Sequence, residues 1–338
     1  MSNSTRVGGP QPLRWGFVGT GNIANWMAAV VQRTPLARLS AVASRSSDKA
    51  AAFAARHGAG KAFGEWTEML SWEGIDAVYV ATPTALREQI CVAAANAGKH
   101  VLGEKPFADL ASLGRIITAC RDNGVAFMDA THFPHHPRTA EIRTDMDRLI
   151  GTPLTLDSSF MVNMADRSDI RYDPALEPLG ALGDLGWYNM RATQEYLAPG
   201  TGLGSVSARL RRDETSGAIV AAEGRLVFTN GAVSTWRCAF DAQVTRIGLK
   251  LAGRKGQIRL DNFVGEDEAE GVSYHYSRAG PAERDAQQIR VDSRFSGPSL
   301  MFQDFAAAAR DPSLREPWEK ASEQTQALLD AAREADRR

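Results

Sequence analysis

Three side chains in two short segments carry the clearest chemical potential of this chain. Lys105 lies in Glu104-Lys105-Pro106, directly after the apolar stretch His100-Val-Leu-Gly103. Ligands of open α/β sheets lie outside the carboxyl ends of the strands, and a lysine in a partly desolvated cleft there is a strong local electrostatic effector. The plainer reading is a strand-end lysine in water. Pro106 fixes the turn, and X-Pro statistics alone favour a trans bond. Asp184 and Tyr188, in LGALGDLGWY, are four residues apart, so on a helix they share one face. Gly180, Gly183 and Gly186 each cost up to about 1 kcal/mol against alanine in a helix interior, which is tolerable where backbone must approach a ligand or another element closely. Taken alone, the segment reads equally well as a glycine-rich packed helix with Tyr188 as a core aromatic.

A further segment points to a cofactor. Residues 13–24 read LRWGFVGTGNIA, a short buried strand followed by Gly19-Thr20-Gly21-Asn22-Ile23-Ala24 and a helical run to about residue 32. In this G-x-G-x-x-A pattern Gly19 allows the tight turn and Gly21 lets a pyrophosphate approach the backbone. Ala24 keeps helix and strand close, while the helix N-terminus offers free N–H groups to the anion. The position after a strand and before a helix gives the motif its weight. The next strand ends in Ala43-Ser44-Arg45-Ser46, where binders of NAD usually carry an acid for the ribose 2′-hydroxyl. No acid appears before Asp48, which is read as the cap of the next helix. Arg45 suits pairing with a 2′-phosphate, stacking on the adenine, or both, and Ser44 and Ser46 can donate hydrogen bonds, so NADP(H) is predicted over NAD(H); the alternative is that Arg45 is a solvated surface charge and NAD(H) is also accepted.

These residues need a scaffold, and the 338-residue length suggests two domains. Strands read at 13–18, 39–43, 61–63, 76–81, 100–103 and 125–128, with helices between them. That alternation predicts βαβ units, a doubly wound parallel Rossmann sheet covered on both faces. After about residue 151 the strands near 152–162, 205–212, 218–229, 232–240, 247–251 and 257–260 follow one another, with Asn230-Gly231 as a hairpin signal. This predicts an α+β domain with a large open, mainly antiparallel sheet, interrupted by a helix over 181–197. A last helix near 319–333 should pack back on the body. The expected division is a disordered tail 1–12, a dinucleotide-binding domain 13–134, a substrate and dimerisation domain 135–316, and a C-terminal helical segment 317–338. The open sheet face would support a homodimer or homotetramer.

Bulk composition excludes several classes. Lys+Arg 39 against Asp+Glu 40 gives a net charge of -1, with no electrostatic reason to expect nucleic acid or an anionic membrane surface. No apolar run approaches a membrane span. The start of the chain has no apolar signal-peptide core. Cys91, Cys120 and Cys238 are isolated and read as small buried hydrophobes in a reducing, cytoplasmic setting. His132, His135 and His136 cluster in DATHFPHHPRT. Three imidazoles suggest a metal, but no carboxylate or cysteine completes a ligand spacing, so none is expected. Substrate hydrogen bonding by one histidine, or helix-end packing, is the reading kept. The acidic run 265–270 reads as an exposed loop.

Residues 15–197 resemble the Gfo/Idh/MocA family of NAD(P)-dependent oxidoreductases. The GTGNIA loop, Thr82-Pro83 after the fourth strand, GKHVLGEKP and LGALGDLGWY carry the resemblance. THFPHHPRT and SDIRYDP are similar to segments of the branch with dimeric dihydrodiol dehydrogenases, glucose-fructose oxidoreductase-like proteins and nucleotide-linked ketosugar reductases. The resemblance implies that Lys105 is the family lysine, that Tyr188 exchanges a proton with substrate while Lys105 favours its phenolate, and that Asp184 orients a substrate hydroxyl or Lys105. It implies cofactor contacts from Thr82, Pro83, Glu104 and Lys105. It also implies substrate contacts from His132, His135, Arg171, Asp184 and Tyr188. Arg138, Asp169 and Tyr172 are sugar contacts or solvated loop charges. One departure is plain: relatives often read T-P-N-x-x-H where this chain has Thr82-Pro83-Thr84-Ala85-Leu86-Arg87. The implied activity is hydride transfer between nicotinamide and a carbonyl or hydroxyl carbon of a sugar, cyclitol or related polyhydroxy compound. The alternatives are a trans-dihydrodiol or dicarbonyl oxidoreductase, and a non-catalytic dinucleotide sensor.

Overall fold

Alternating apolar strands and helices in the first third build a six-stranded parallel sheet. The computed structural model describes residues 11–197, 201–265, 272–280 and 286–336. Residues 1–10 of the expected tail and 266–270 of the acidic run lie outside the described residues. The strands are β1 (Leu13–Val18), β2 (Ala37–Ala43), β3 (Lys61–Phe63), β4 (Ala77–Val80), β5 (His100–Gly103) and β6 (Phe127–Asp129). They stand in the order β3-β2-β1-β4-β5-β6, all parallel. Strand order reverses between β1 and β4, which opens a crevice beyond their carboxyl ends. Around the sheet run α1 (Asn22–Val31), α2 (Ser47–His57), α3 (Trp66–Leu70), α4 (Thr84–Asn96) and α5 (Leu110–Asp122). Helix α1 buries Ala24, Met27, Ala28 and Val31, the one-face spacing of an amphipathic helix. Helix α2 is capped by the Ser46 hydroxyl, which accepts from the Lys49 N–H at 3.3 Å. The sequence reading gave that cap to Asp48. Asp48 instead sits in the first turn, where a carboxylate complements the helix dipole.

Helix α6 (Pro137–Leu149) leads to the second sheet, whose strands are β7 (Pro153–Asn163), β8 (Leu203–Arg212), β9 (Ile219–Phe228), β10 (Val233–Ala239), β11 (Asp241–Arg246), β12 (Leu249–Gly253), β13 (Gly256–Leu260), β14 (Val272–Arg278) and β15 (Gln287–Val291). Their order is β15-β14-β13-β12-β7-β10-β9-β8, with β11 also on β7. The sheet is antiparallel except for the β7–β10 pair. Asn230-Gly231 turns β9 into β10 as anticipated, and Asn230 Oδ1 accepts from the Ala232 N–H at 3.0 Å. Strands β11, β14 and β15 are additional to those read from the sequence.

The glycine-rich segment forms two helices, α7 (Gly180–Asp184) and α8 (Gly186–Tyr196), parted at Leu185, where one helix over 181–197 was expected. Gly180 has φ +45°, and a Cβ there would lie 2.3 Å from the Ile219 carbonyl oxygen of β9. The glycines therefore serve close approach to another element, one of the two uses the sequence allowed. Helix α9 (Gly297–Arg310), an element the sequence reading lacks, lies against the parallel sheet. There Trp15 meets Phe302 and Phe305 at ring-centroid distances of 5.0 and 4.9 Å. Helix α10 (Glu316–Ala335) buries Leu328, Leu329 and Ala332 in the core shared by both sheets. Among the described residues no helix is long and apolar enough to cross a membrane.

Candidate active site

The turn after β1 is shaped for an anion. Gly19 has φ +112°, a conformation that L side chains rarely adopt, and a Cβ there would stand 2.6 Å from the Ala81 carbonyl oxygen. A Cβ on Gly21 would meet nothing within 4 Å, so the approach to the backbone is open. No side chain caps α1 and no acid occupies its first turn, which leaves its N-terminal N–H groups and dipole available. Asn25 holds the turn by donating to the Thr20 and Gly21 carbonyls at 3.0 and 2.9 Å. Asn22 is exposed, while Ile23 reaches the cavity described below. These residues fit the pyrophosphate of a dinucleotide. Beside them the Thr20 hydroxyl donates to Ser44 Oγ at 3.5 Å, and Arg45 stands exposed just past β2. Among the described residues no group of three or more His, Cys, Asp or Glu is arranged to hold a metal.

Beyond that turn a cavity of about 220 Å³ lies between the sheets, and Lys105, His132, Arg171, Asp184 and Tyr188 all line it. The Lys105 ammonium donates to Asp184 Oδ1 at 2.7 Å and to the Asp184 carbonyl at 2.8 Å. Arg171 Nε donates to Asp184 Oδ2 at 2.7 Å, and Arg171 also pairs with Asp169 at 3.1 Å. Asp184 is thus gripped from both sides. Burial alone would raise its carboxyl, but Lys105 and Arg171 outweigh that and hold it down to about 2.

Lys105 Nζ lies 4.8 Å from the centroid of the Tyr188 ring. Among the described residues the Tyr188 hydroxyl has no hydrogen-bond partner. Burial first, then the Glu104, Asp184 and Asp129 carboxylates, push the phenol well above its usual titration range. This is opposite in direction to the lowering expected from a neighbouring lysine. The physical reason is that Asp184 takes up the lysine charge, while three carboxylates face a buried ring. His132 is buried and held neutral, down to about 3, by desolvation and then by Lys105 and His135.

The supporting residues show what local sequence misses. Arg87, in place of the family histidine, is buried and donates to the Thr82 and Pro106 carbonyls and to Thr84 Oγ1, tying together the turns after β4 and β5. Thr84 in turn donates to Glu177 through its N–H at 3.0 Å and its hydroxyl at 2.5 Å. Pro83 is the residue before α4, and the Lys105–Pro106 bond is cis. Glu104 is buried behind the lysine, accepting from the Tyr79 hydroxyl and from the Lys105 N–H at 3.2 Å. Thr82, Arg87, Glu104, Phe160 and Glu177 also line the cavity. Only the TPTALR departure hinted at Arg87; Glu177 and Phe160 stand in no motif.

Three predicted contacts fall elsewhere. His135 is not brought to the cavity: its Nδ1 meets Asp304 of α9 at 2.6 Å and its ring stacks on Trp318 at 4.3 Å. Arg138 is neither a sugar contact nor a solvated charge, since it is buried and donates to the Asn262 and Phe263 carbonyls. The Tyr172 hydroxyl donates to the Met164 carbonyl at 2.9 Å and braces the 164–172 loop. His136 performs the helix-end role, with Nδ1 accepting from the Arg138 N–H at the start of α6. Below Tyr188, α8 is clamped to the parallel sheet by fully buried Arg191 on Asp129 at 3.0 Å and by Trp187 Nε1 donating to Thr131 at 2.6 Å.

A Rossmann sheet with an anion-binding turn, joined to a second sheet that closes a small cavity over it, defines a dinucleotide-binding oxidoreductase architecture. Residues 13–131 match the family described as "Oxidoreductase family, NAD-binding Rossmann fold" (GFO_IDH_MocA), and residues 146–259 match its "GFO/IDH/MocA C-terminal domain". The chain belongs to this family. It is 31% identical over 336 residues to a dTDP-3,4-didehydro-2,6-dideoxy-alpha-D-glucose 3-reductase of Streptomyces antibioticus, covering 97% of this chain and 95% of that protein. It is 28% identical over 326 residues to the reductase of the same name from Actinomadura kijaniata, covering 95% of each. The crystal structure of KijD10, a 3-ketoreductase from Actinomadura kijaniata in complex with NADP and TDP-benzene, superposes with a TM-score of 0.88. That match has 26% identity over 96% of this chain and 98% of the other.

Proposed function

We propose that this chain is an NADP(H)-dependent oxidoreductase that moves a hydride between nicotinamide and a carbonyl or hydroxyl carbon of a sugar, cyclitol or related polyhydroxy compound. The observation that carries the reading is the convergence of Lys105, Asp184 and Tyr188 on one cavity of about 220 Å³ beside the anion-binding turn. Gly19 to Ile23 would hold the cofactor diphosphate, and Ser44, Arg45 and Ser46 the 2′-phosphate, with Thr82, Pro83, Glu104 and Lys105 shaping the nicotinamide end. When bound there, NADP(H) supplies or accepts the hydride. The relatives' printed names, ketoreductases of a deoxysugar, and the NADP in the KijD10 structure support the same class.

Tyr188 donates a proton to the substrate oxygen in reduction and takes one back in oxidation. Its raised phenol is protonated at neutral pH, the state a donor to a carbonyl oxygen requires. Lys105, fixed by Asp184, places a positive charge against the ring and offsets negative charge forming on the phenolic and substrate oxygens. Arg171 and neutral His132 present hydrogen-bonding groups to the remaining hydroxyls. Tyr188→Phe tests the reading. With NADPH and a panel of ketosugars and diols, turnover falls by about a hundredfold or more while the cofactor dissociation constant stays unchanged. A variant with near-full turnover refutes the proton role. Tight cofactor binding with no turnover by the parent would instead favour the sensor.

A further inference from the structure

The turn that carries Lys105 is fastened from more directions than the lysine's own ion pair. Its ammonium is held on Asp184 at 2.7 Å, and Asp184 is held in turn by Arg171 at 2.7 Å. The Pro106 ring lies against α7, where a Cβ on Gly183 would stand 2.8 Å from Pro106 Cγ. The Phe107 N–H donates to Gln326 Oε1 of α10 at 3.1 Å. The Pro106 carbonyl accepts from Arg87.

Arg87 is only 4% exposed. One of its terminal nitrogens donates to the Pro106 carbonyl and to Thr84 Oγ1 at 3.0 Å, the other to the Thr82 carbonyl at 2.6 Å. Burying a guanidinium is costly, and none of these three acceptors is a carboxylate. What the fork supplies is geometry: its fixed N–H directions join the turn after β4 to the turn after β5.

Behind Arg87 the tie continues into the second domain. The Thr84 N–H and hydroxyl donate to Glu177 at 3.0 and 2.5 Å, and the Ala85 N–H donates to the Leu176 carbonyl at 3.1 Å. Glu177 and Arg171 lie six residues apart on one segment. The contacts therefore close on themselves. One arm runs from Lys105 through Asp184 to Arg171, the other from Glu177 through Thr84 and Arg87 back to Pro106. Apart from Thr84, every residue of this circuit lines the cavity.

We propose that Arg87 is a positioning residue: through the Pro106 carbonyl it sets where the Lys105 ammonium stands, with Thr84 and Glu177 holding it to that geometry. On the reading above, Lys105 shapes the nicotinamide end of the cofactor site, and the positioning role rests on that reading. A purely structural part would stabilise the fold without bearing on the ammonium.

Oxidised NADP carries a cationic nicotinamide and NADPH a neutral one, so a nearby ammonium lowers affinity for the first relative to the second. Both dissociation constants are measured by calorimetry on the parent, Arg87→Lys, Thr84→Val, Lys105→Met and the double variant Arg87→Lys/Lys105→Met. Arg87→Lys and Thr84→Val leave the charge unchanged, so a shift in the ratio reports displacement. Lys105→Met should move the ratio about tenfold toward oxidised NADP. Arg87→Lys should move it the same way by about threefold or more, because an ammonium does not reproduce the planar fork. Thr84→Val should follow in the same direction. Once Lys105 is gone, Arg87→Lys should change the ratio by less than about 1.5-fold. A ratio that Arg87→Lys leaves at the parent value, or shifts equally with and without Lys105, overturns the proposal. Should Arg87→Lys bind neither cofactor, Thr84→Val decides, and an unchanged ratio there overturns it equally. If Lys105→Met itself leaves the ratio unmoved, the proposed cofactor site falls and the positioning role with it. Coupling that is intact in a protein without turnover would sink the Tyr188 mechanism and leave Arg87 its role.

Discussion

Asp184→Asn separates the electrostatic design of the cavity from its shape. The substitution keeps the volume and one acceptor but removes the charge that Lys105 and Arg171 share at 2.7 Å each. The carboxyl is held at about 2 in the folded protein against an ordinary value of 3.8. At 1.36 kcal/mol per unit, the charged form contributes about 2 kcal/mol at neutral pH. Leaving two cations to face each other adds to the loss, so urea unfolding at pH 7 should show a destabilisation of about 3 kcal/mol. The sign of the pH dependence follows from the lowered carboxyl. Its contribution is present above the unfolded value and disappears as pH falls through the folded one. The difference between parent and variant should therefore shrink by about 1 kcal/mol between pH 5 and pH 3. Kinetics give an independent reading. Asp184 is one of the carboxylates raising the Tyr188 phenol, so its neutralisation should move the alkaline limb of kcat for carbonyl reduction to lower pH. A stability difference that is constant from pH 6 to pH 3, or an alkaline limb that moves upward, would refute the argument that this carboxylate sets the local field.

Arg45→Ala should weaken NADP binding by about tenfold or more and leave NAD binding within about twofold, since only the 2′-phosphate loses its cation. Equal losses for both cofactors, measured by fluorescence titration, would reduce Arg45 to an adenine contact. The outward face of the second sheet is polar and set with cross-strand partners such as Arg209 opposite Glu223 and Thr235 beside Asp157. If that face joins two or four copies, light scattering at micromolar concentration should give a multiple of the chain mass that falls in high salt; a strict monomer would remove the interface.

The parts of the site that were legible in the sequence are those whose geometry is local. Gly19, Gly21 and Ala24 declare their turn because steric demands within six residues select them. Lys105 announces itself by following a strand, and Asp184 and Tyr188 reach the same cavity although Leu185 interrupts the helix between them. What escaped was decided by distant chain. His135 has the residue type of a substrate ligand, yet Asp304 and Trp318, both more than 160 positions away, turn it into packing. Arg87 looked like a broken motif until the carbonyls of Thr82 and Pro106 gave its guanidinium a purpose. Helix α9 lies far along the chain from the sheet it covers, and its segment Gly297-Pro-Ser-Leu gives little sign of helix beyond a proline allowed in the first turn.

The direction of the Tyr188 shift makes the same point about fields. Residue types suggest a lysine beside a tyrosine, and hence a stabilised phenolate. The fold first buries the ring, then adds Glu104 behind the lysine, Asp184 clasping it and Asp129 beneath α8, and the balance reverses. A phenol kept protonated is poised to give its proton to a carbonyl oxygen, whereas oxidation of an alcohol needs the phenolate as base. On the mechanism proposed above, these charges disfavour the phenolate that alcohol oxidation would need. For oxidation to run at neutral pH, the positive charge of the oxidised nicotinamide would have to offset those carboxylates at the moment the proton moves.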